Sequence, residues 1–268
     1  MNLEGKVIVV TGGTGILGYS FNKAIAAAGG AVCILGRSKE KAEERAAEIK
    51  REGGRAIGVS CDVLSEEDLR KANETILNEF GRIDGLVNAA GGNQPGAVVQ
   101  PEDDIFNLNM KALEEVLRLN LFGSLLPTQV FGKTMMQTAG GGSIVNISSV
   151  SAKTIVTKVL GYSMAKAAIE TYTKWMAVEL GKRFGGKIRI NAIMPGFFLT
   201  EQNKTLLTNE DGSLTDRGQK VVNKTPFGRF GKPEELSAAL VYLLSDASSF
   251  VMGSSLDVDG GFTCFSGV

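Results

Sequence analysis

The chain has 268 residues, 43% of them hydrophobic, which suffices for one large domain with a substantial core. Its 29 basic and 29 acidic side chains cancel, so no net charge favours binding to nucleic acid or to an anionic membrane. The absence of histidine excludes a Ser-His-Asp triad, a Cys-His pair and a histidine-ligated metal. We therefore expect a soluble protein that acts on a small molecule and holds no metal.

The three cysteines indicate a reducing compartment. Cys33, Cys61 and Cys264 are far apart in the sequence and form no C-x-x-C pair, which argues against a disulfide framework. The apolar run at 7–10 is too short for a signal peptide or a membrane span. We expect a cytoplasmic protein.

Short apolar runs alternate with longer segments of helical period. In chain order, the pattern predicts a strand at 6–11, helix 15–28, strand 31–35, helix 39–51, strand 56–60, helix 66–80, strand 83–88, helices 108–121 and 124–137, strand 143–148, helix 161–184, strand 188–193, helix 233–244 and strand 255–258. This alternation predicts a Rossmann-like α/β fold: a doubly wound parallel sheet of seven strands with helices on both faces. No break in composition divides residues 1–268, so we expect a single domain.

A glycine-rich turn follows the first strand. Gly12, Gly15 and Gly18 stand where the strand passes into the first helix. Missing side chains let the backbone approach a pyrophosphate, and the helix N-terminus offers free N–H groups. Such glycines can also form a turn without a ligand, but the strand-turn-helix context favours a dinucleotide site.

A tyrosine and a lysine four residues apart supply the candidate acid-base chemistry. Tyr162 and Lys166 lie on one face of the helix predicted at 161–184. We expect the ammonium and the ring of an oxidised nicotinamide to lower the pKa of Tyr162, which can then exchange a proton with a substrate oxygen. Ser149, just past the fifth strand, can donate a hydrogen bond to that oxygen. Such a Tyr-Lys pair also arises by chance on amphipathic helices.

An ordered set of motifs resembles the short-chain dehydrogenase/reductase family over residues 6–262. The set comprises the glycine-rich turn, Cys61-Asp62-Val63, Asn88-Ala89-Ala90-Gly91, Asn120, Ser149, Tyr162-x-x-x-Lys166 and Pro195-Gly196. The resemblance implies NAD(P)-dependent hydride transfer between a nicotinamide and a carbonyl or secondary alcohol. The alternative from another functional class is a catalytically silent, dinucleotide-binding scaffold. We expect such a protein to lack at least one of Ser149, Tyr162 and Lys166.

The resemblance also implies individual roles at the cofactor. Asp62 is expected to bond the adenine amino group, with Val63 against the ring, although Asp62 could instead cap a helix or a turn. Lys166 is expected to bind the nicotinamide ribose, and Asn120 to hold a water in a proton relay. Thr200 is expected to bond the carboxamide, unless it is a loop hydroxyl. Further cofactor contacts are expected at Gly12, Thr14, Gly15, Ile16, Leu17, Gly18, Asn88, Ala89, Ala90, Gly91, Pro195, Gly196 and Phe198. Most single-domain members have glycine where this chain has Ile16.

The end of the second strand favours NADP over NAD. Enzymes that prefer NAD usually carry an acidic residue there, to bind the adenosine ribose. Here Gly36 is followed by Arg37, which could bind a 2′-phosphate by charge-assisted hydrogen bonds. A solvated loop charge is the alternative for Arg37.

Two aperiodic segments, at about 92–106 and 197–228, are expected to wall the substrate pocket. Asn93 and Gln94 offer amide groups to substrate hydroxyls. The second segment carries polar and basic residues, one of which could pair with a carboxylate: Gln202, Asn203, Lys204, Arg217, Lys220 and Lys224. The pattern resembles the sugar-acid branch of the family, which includes D-mannonate oxidoreductase (fructuronate reductase) and gluconate 5-dehydrogenase. A 3-oxoacyl thioester is the competing substrate, and these residues could also merely solvate two loops.

The family usually assembles through its two long helical segments and its last strand. These correspond here to 108–137, 161–184 and 253–262. We expect a homotetramer.

Overall fold

The computed structural model describes residues 1–200 and 203–267, and its core is one parallel sheet. The strands are β1 (Val7–Thr11), β2 (Ala31–Gly36), β3 (Arg55–Ser60), β4 (Gly85–Asn88), β5 (Gly142–Ile147), β6 (Ile188–Pro195) and β7 (Ser255–Val258). Their order across the sheet is β3-β2-β1-β4-β5-β6-β7, and every pair is parallel. The seven-stranded, doubly wound sheet predicted from the sequence is confirmed.

Helices cover both faces of this sheet. They are α1 (Ile16–Ala27), α2 (Lys39–Arg51), α3 (Glu66–Phe80), α4 (Met110–Leu117), α5 (Gly123–Thr138), α6 (Leu160–Phe184), α7 (Lys204–Leu207), α8 (Asp216–Lys224) and α9 (Ser237–Leu244). Side chains of α1, α2 and α9 pack in one core cluster, and those of α3, α5 and α6 in a second. Along β1, Ile8 and Val10 join the first cluster, whereas Val7 and Val9 join the second. Successive residues of a strand point to opposite faces, so a continuously apolar strand serves both layers.

The winding of the sheet reverses between β1 and β4, which are hydrogen-bonded neighbours. The Thr11 hydroxyl accepts hydrogen bonds from the amides of Ala89 and Ala90, at 3.1 and 3.2 Å. This bond pair joins the carboxyl ends of both strands at the switch point, where ligands bind in open α/β sheets.

The structure departs from the predicted elements in two places. The helices expected at 108–121 and 124–137 form one continuous helical segment, because a π-helical turn, Arg118–Phe122, joins α4 to α5. The expected loop at 197–228 contains α7 and α8, so its description as aperiodic was wrong. Both helices are shorter than ten residues, and a periodic pattern is difficult to recognise over so few positions.

Within residues 1–200 and 203–267, none of the helices combines the length and the apolar character that crossing a bilayer requires.

Candidate active site

A cavity of about 690 Å³ opens at the carboxyl ends of β5 and β6. Ser149 and Tyr162 both line it. Ser149 follows β5 in an extended conformation, and Tyr162 lies in the first turn of α6. The Ser149 hydroxyl is placed to form a hydrogen bond with the Tyr162 phenol. Both segments predicted to wall a pocket contribute to the lining: the first through five residues between 93 and 100, the second through residues 197, 198, 200, 203, 205–207 and 217. The structure thus brings together the candidate catalytic hydroxyls and the segments expected around a substrate.

Lys166 lies behind Tyr162, one turn further along α6. Its side chain is buried, and Nζ donates a hydrogen bond of 2.8 Å to the carbonyl of Ile147 at the end of β5. Nζ lies 5.4 Å from the centroid of the Tyr162 ring. Burial lowers the pKa of Lys166 to about 8. A lysine with this pKa can exchange a proton near neutral pH.

The surroundings that the chain itself gives Tyr162 raise the pKa of its phenol. Burial raises it above the ordinary value of 10, and the hydrogen bond with Ser149 offsets only part of that increase. The lowering expected from Lys166 together with an oxidised nicotinamide stays a prediction, because the ammonium on its own does not counter the burial. The ammonium is directed at a main-chain carbonyl, and a buried phenol resists ionisation because the phenolate loses its hydration.

Asn120 lies in the π-helical turn between α4 and α5 and is fully buried. Its amide nitrogen donates to the carbonyls of Gly92 (2.6 Å) and Val116 (2.8 Å), and Oδ1 accepts from the Gly92 amide at 3.0 Å. These bonds attach α4 to the loop after β4. A Cβ at Gly91 would lie 2.6 Å from Asn120 Oδ1 and 3.4 Å from Lys166 Nζ. Asn120, Gly91 and Lys166 therefore meet at one point beside the cavity.

A buried polar ladder supports the ends of β4 and β5. Asn88 Nδ2 donates to Asn146 Oδ1 (2.8 Å) and to Thr128 Oγ1 (3.0 Å). Asn146 Nδ2 in turn donates to Thr173 Oγ1 on α6, at 2.9 Å. Asn88 therefore links β4 to β5 and α5, and sequence reasoning missed these partners. The signal was an asparagine within each apolar strand, since a buried amide requires hydrogen-bond partners.

The turn after β1 has the shape of a phosphate cradle. Gly12 has a φ of +64°, and a Cβ there would lie 2.8 Å from Ala90 Cα. A Cβ at Gly18 would collide with the Gly12 carbonyl, so α1 packs closely on the turn. Gly15 is the N-cap of α1, and within the described chain no side chain caps that end. These amides can bind a pyrophosphate, so the cradle fits a dinucleotide.

The residues expected at the adenosine surround the ends of β2 and β3. A Cβ at Gly36 would lie 2.6 Å from Thr14 Cγ2, so Thr14 fills the space that a side chain at 36 would need. Arg37 is exposed and makes no ion pair within residues 1–200 and 203–267. Asp62 is exposed in a turn, where Oδ1 accepts from the Leu64 amide at 2.9 Å, and Val63 is buried beside it. Ser65, not Asp62, caps α3.

The residues expected at the nicotinamide follow β6. Gly196 packs against Asp259, where a Cβ would lie 2.7 Å from Asp259 Cα. The Phe198 ring is buried against Gly231, which leaves its main chain rather than its ring for contact with a ligand. The Thr200 amide donates to Asn203 Oδ1 at 2.8 Å, and Thr200 lines the cavity. The Leu17 side chain lines the same cavity, whereas Ile16 is exposed at the start of α1.

The residues expected to contact the substrate differ in whether their polar atoms already have hydrogen-bond partners within the protein. Asn93 Oδ1 is buried and has no hydrogen-bond partner in the described part of the chain. Gln94 Nε2 already donates to the Ala112 carbonyl (3.0 Å) and to Glu115 Oε2 (2.9 Å). Residues of α4 therefore occupy both N–H groups of Gln94, and its contact with substrate, through Oε1, stays a prediction. Gln202, named among the candidates, lies outside the described residues.

The buried ammonium of Lys166 generates a prediction about stability. Between about pH 8 and pH 10.4, the unfolded chain keeps a lysine proton that the folded chain has lost, so stability rises with pH across this window. The quantity to follow is the difference between the unfolding free energy of the wild type and that of Lys166→Met. We expect this difference to increase by up to about 3 kcal/mol from pH 7 to pH 10.5. Denaturant titrations of the cofactor-free proteins measure this difference.

Lys182→Met, at an exposed position of α6, is the matched control. Its difference from the wild type should stay constant with pH, because water surrounds that ammonium in both states. A Lys166 difference that is flat across the same window would contradict the assigned burial of its charge.

Comparisons with known proteins agree with this geometry. A family model described as enoyl-(acyl carrier protein) reductase matches residues 14–263. An uncharacterised oxidoreductase of Bacillus subtilis, UxuB, is 43% identical, covering 100% of this chain and 98% of that protein. A solved structure from Haemophilus influenzae, provisionally described as a D-mannonate oxidoreductase and containing NAD, is 42% identical with a TM-score of 0.91, covering 100% and 98%.

A more distant structure has the same fold. The gluconate 5-dehydrogenase from Burkholderia cenocepacia, solved with NADP and tartrate, is 30% identical with a TM-score of 0.87, covering 98% of this chain and 97% of that one. The match to the family model over most of the chain and the relatives above 30% identity agree with the ordered motifs. The chain belongs to the short-chain dehydrogenase/reductase family of NAD(P)-dependent oxidoreductases.

Proposed function

We propose that this enzyme interconverts a keto-hexonate and the corresponding hydroxy acid, of the D-fructuronate and D-mannonate type. The observation that carries the proposal is the lining of the cavity at Ser149 and Tyr162. Polar and apolar side chains share this lining, and the polar ones include Asn93, whose buried Oδ1 has no hydrogen-bond partner in the described part of the chain. A polyhydroxylated substrate would supply the hydrogen bonds that this oxygen lacks. The names of the Haemophilus and Burkholderia proteins support a sugar acid.

The proposed roles of the chain's own residues follow from their positions. Ser149 donates a hydrogen bond to the substrate oxygen and stabilises the negative charge that develops on it during reduction. Tyr162 donates its proton to that oxygen, and takes one back in oxidation. Lys166, with a pKa of about 8, can return a proton towards Tyr162, and Asn120 holds the loop at Gly92 beside it. When bound, the nicotinamide donates or accepts the hydride.

The substrate proposal is tested by cofactor oxidation with a panel of carbonyl compounds. We expect the highest kcat/KM for D-fructuronate or 5-keto-D-gluconate, with lower values for neutral ketoses and for an acetoacetyl thioester. Tyr162→Phe should lower kcat on the best substrate at least about 100-fold, the range of general acid-base catalysis, while cofactor affinity stays nearly unchanged.

Tyr172→Phe is the matched control, since Tyr172 is a tyrosine on the same helix and does not line the cavity. It should keep near wild-type kcat. Efficient reduction of the thioester with no sugar acid turned over would replace the proposed substrate by the 3-oxoacyl alternative. Wild-type turnover by Tyr162→Phe would refute the role given to the tyrosine.

NADP is the proposed preferred dinucleotide. Arg37 is exposed at the end of β2 with no acidic partner in the described chain, and Thr14 fills the space beside Gly36. An acidic side chain that could grip the ribose hydroxyls is thus missing at 36, and none fits there unless Thr14 moves. A 2′-phosphate would give Arg37 a partner of opposite charge.

We expect the wild-type kcat/KM to be higher with NADPH than with NADH, and Arg37→Ala to lower the NADPH value at least about 10-fold, as for a lost charge-assisted bond. The NADH value should change little, because only the phosphate contact is removed. Lys41→Ala, an exposed lysine of α2, is the control for a general loss of positive charge. A wild-type enzyme that uses NADH better would overturn this preference.

A homotetramer is the proposed assembly. Large apolar side chains are exposed along the expected interfaces: Phe122 at the start of α5, Trp175 and Val178 on α6, and Phe250 and Leu256 near β7. Burying such a patch against another copy would remove apolar surface from water.

Sedimentation equilibrium at micromolar concentration should give the mass of a tetramer for the wild type. Trp175→Glu should shift the mass towards a dimer, because a carboxylate in an apolar interface is left without a partner. Phe106→Glu, an exposed aromatic outside these helices, should leave the mass unchanged. A wild type that is only monomeric refutes the assembly.

A further inference from the structure

One charged side chain, Arg217, lines the cavity that contains Ser149 and Tyr162, counting the residues that the structure describes. All other lining side chains are apolar or neutral polar. At about 690 Å³, the cavity is of the size that holds a small molecule. A single cation in such a cavity gives its occupant a defined orientation if that occupant carries one negative charge.

The fold holds Arg217 in place from both sides of the cavity. Thr215 caps α8: its Oγ1 accepts from the Gly218 amide (3.0 Å) and donates to the Leu206 carbonyl at the end of α7 (2.8 Å). Gly218 packs directly on the Leu207 carbonyl, where a Cβ would collide. The first turn of α8 is therefore fastened to α7, and Arg217 extends from it.

The guanidinium also bonds to the segment before α6. Nη1 donates to Thr157 Oγ1 at 3.2 Å, and Nη2 donates to the Thr157 carbonyl at 3.0 Å. Thr157 belongs to the segment that leads from Ser149 into α6, so the bonds relate Arg217 to the catalytic residues. Both acceptors are neutral. A guanidinium has five N–H groups, and three remain after these two bonds.

The charge of Arg217 has no counterion in the described structure. No aspartate or glutamate of residues 1–200 and 203–267 forms an ion pair with it. Burial lowers the pKa of the guanidinium, and no nearby carboxylate offsets that effect. A partly buried charge without a counterion is costly, and an anionic ligand compensates that cost on binding.

We propose that Arg217 is the specificity-determining residue that binds the substrate carboxylate and so selects keto acids over neutral ketoses. The planar guanidinium can present two parallel N–H groups to the two carboxylate oxygens. The carbonyl to be reduced then lies at Ser149 and Tyr162, with the hydroxyl-bearing carbons between the two anchors. This inference rests on the proposed function and names the residue that recognises its substrate class.

Calorimetric titration of the enzyme saturated with NADPH measures the contact without turnover, because a reduced nicotinamide cannot accept a hydride from a hydroxy acid. The probes are D-gluconate, a hydroxy acid, and D-glucitol, its neutral counterpart of the same length. We expect Arg217→Met to weaken gluconate binding at least about 10-fold, the loss typical of hydrogen bonds to a charged group, and to change glucitol binding less than about 2-fold. Arg217→Lys should fall between, because it keeps the charge and loses the planar pair of donors.

Lys220→Met is the matched control, since it removes an exposed cation from the same helix outside the cavity. It should bind gluconate as the wild type does. If Arg217→Met lost equal affinity for gluconate and for glucitol, the role of Arg217 would be to stabilise the structure of the cavity. That result would overturn the proposal. Gluconate binding that does not differ between Arg217→Met and Lys220→Met, or that is absent in the wild type at millimolar concentration, would overturn it as well.

The outcome for Arg217 is separable from that of the substrate proposal. Gluconate binding that depends on Arg217, with no sugar acid turned over, would sustain the anchor and refute the reaction. Turnover of 5-keto-D-gluconate at unchanged KM in Arg217→Met would sustain the reaction and refute the anchor.

Discussion

The bonds from the Ala89 and Ala90 amides to the Thr11 hydroxyl join the ends of β1 and β4 where the winding of the sheet reverses. Their position brings the glycine-rich turn against the loop after β4, close enough that Gly12 cannot carry a side chain. The same loop continues to Gly91 and Gly92, which Asn120 holds next to Lys166. The dinucleotide cradle and the candidate acid-base residues are therefore built on one junction between two strands.

Burial is the second constraint, and it acts on both titrating groups of the site. It raises the pKa of Tyr162 and lowers that of Lys166 to about 8, so it favours the neutral forms of both side chains. The hydrogen bond with Ser149 opposes the effect on the tyrosine, and the Ile147 carbonyl gives the lysine a partner. The packing that positions the two side chains beside the cavity is thus also the cause of their altered acidities.

The fold and the positions of the candidate catalytic residues could be predicted because they depend on local signals. Apolar runs mark the strands, and an i, i+4 spacing places Tyr162 and Lys166 on one helix face. Contacts between distant segments could not be predicted. The packing of Thr14 on Gly36, the bonds of Gln94 to α4 and the reach of Arg217 to Thr157 each join residues from separate elements. The effect of burial on the pKa of Tyr162 could not be predicted for the same reason, since sequence spacing does not reveal how deeply a side chain is buried or where a neighbouring ammonium is directed.

The central claim is that Ser149, Tyr162 and Lys166 support hydride transfer. The alternative is that they belong to a catalytically silent scaffold, and isotope labelling distinguishes the two most directly. The enzyme is incubated with 5-keto-D-gluconate and with reduced cofactor that carries deuterium at the transferable position of the nicotinamide. The product is analysed by NMR. The account predicts deuterium on the new carbinol carbon with the wild type, and at least about 100-fold slower incorporation with Tyr162→Phe. Tight cofactor binding without deuterium transfer to any carbonyl compound tried would contradict it.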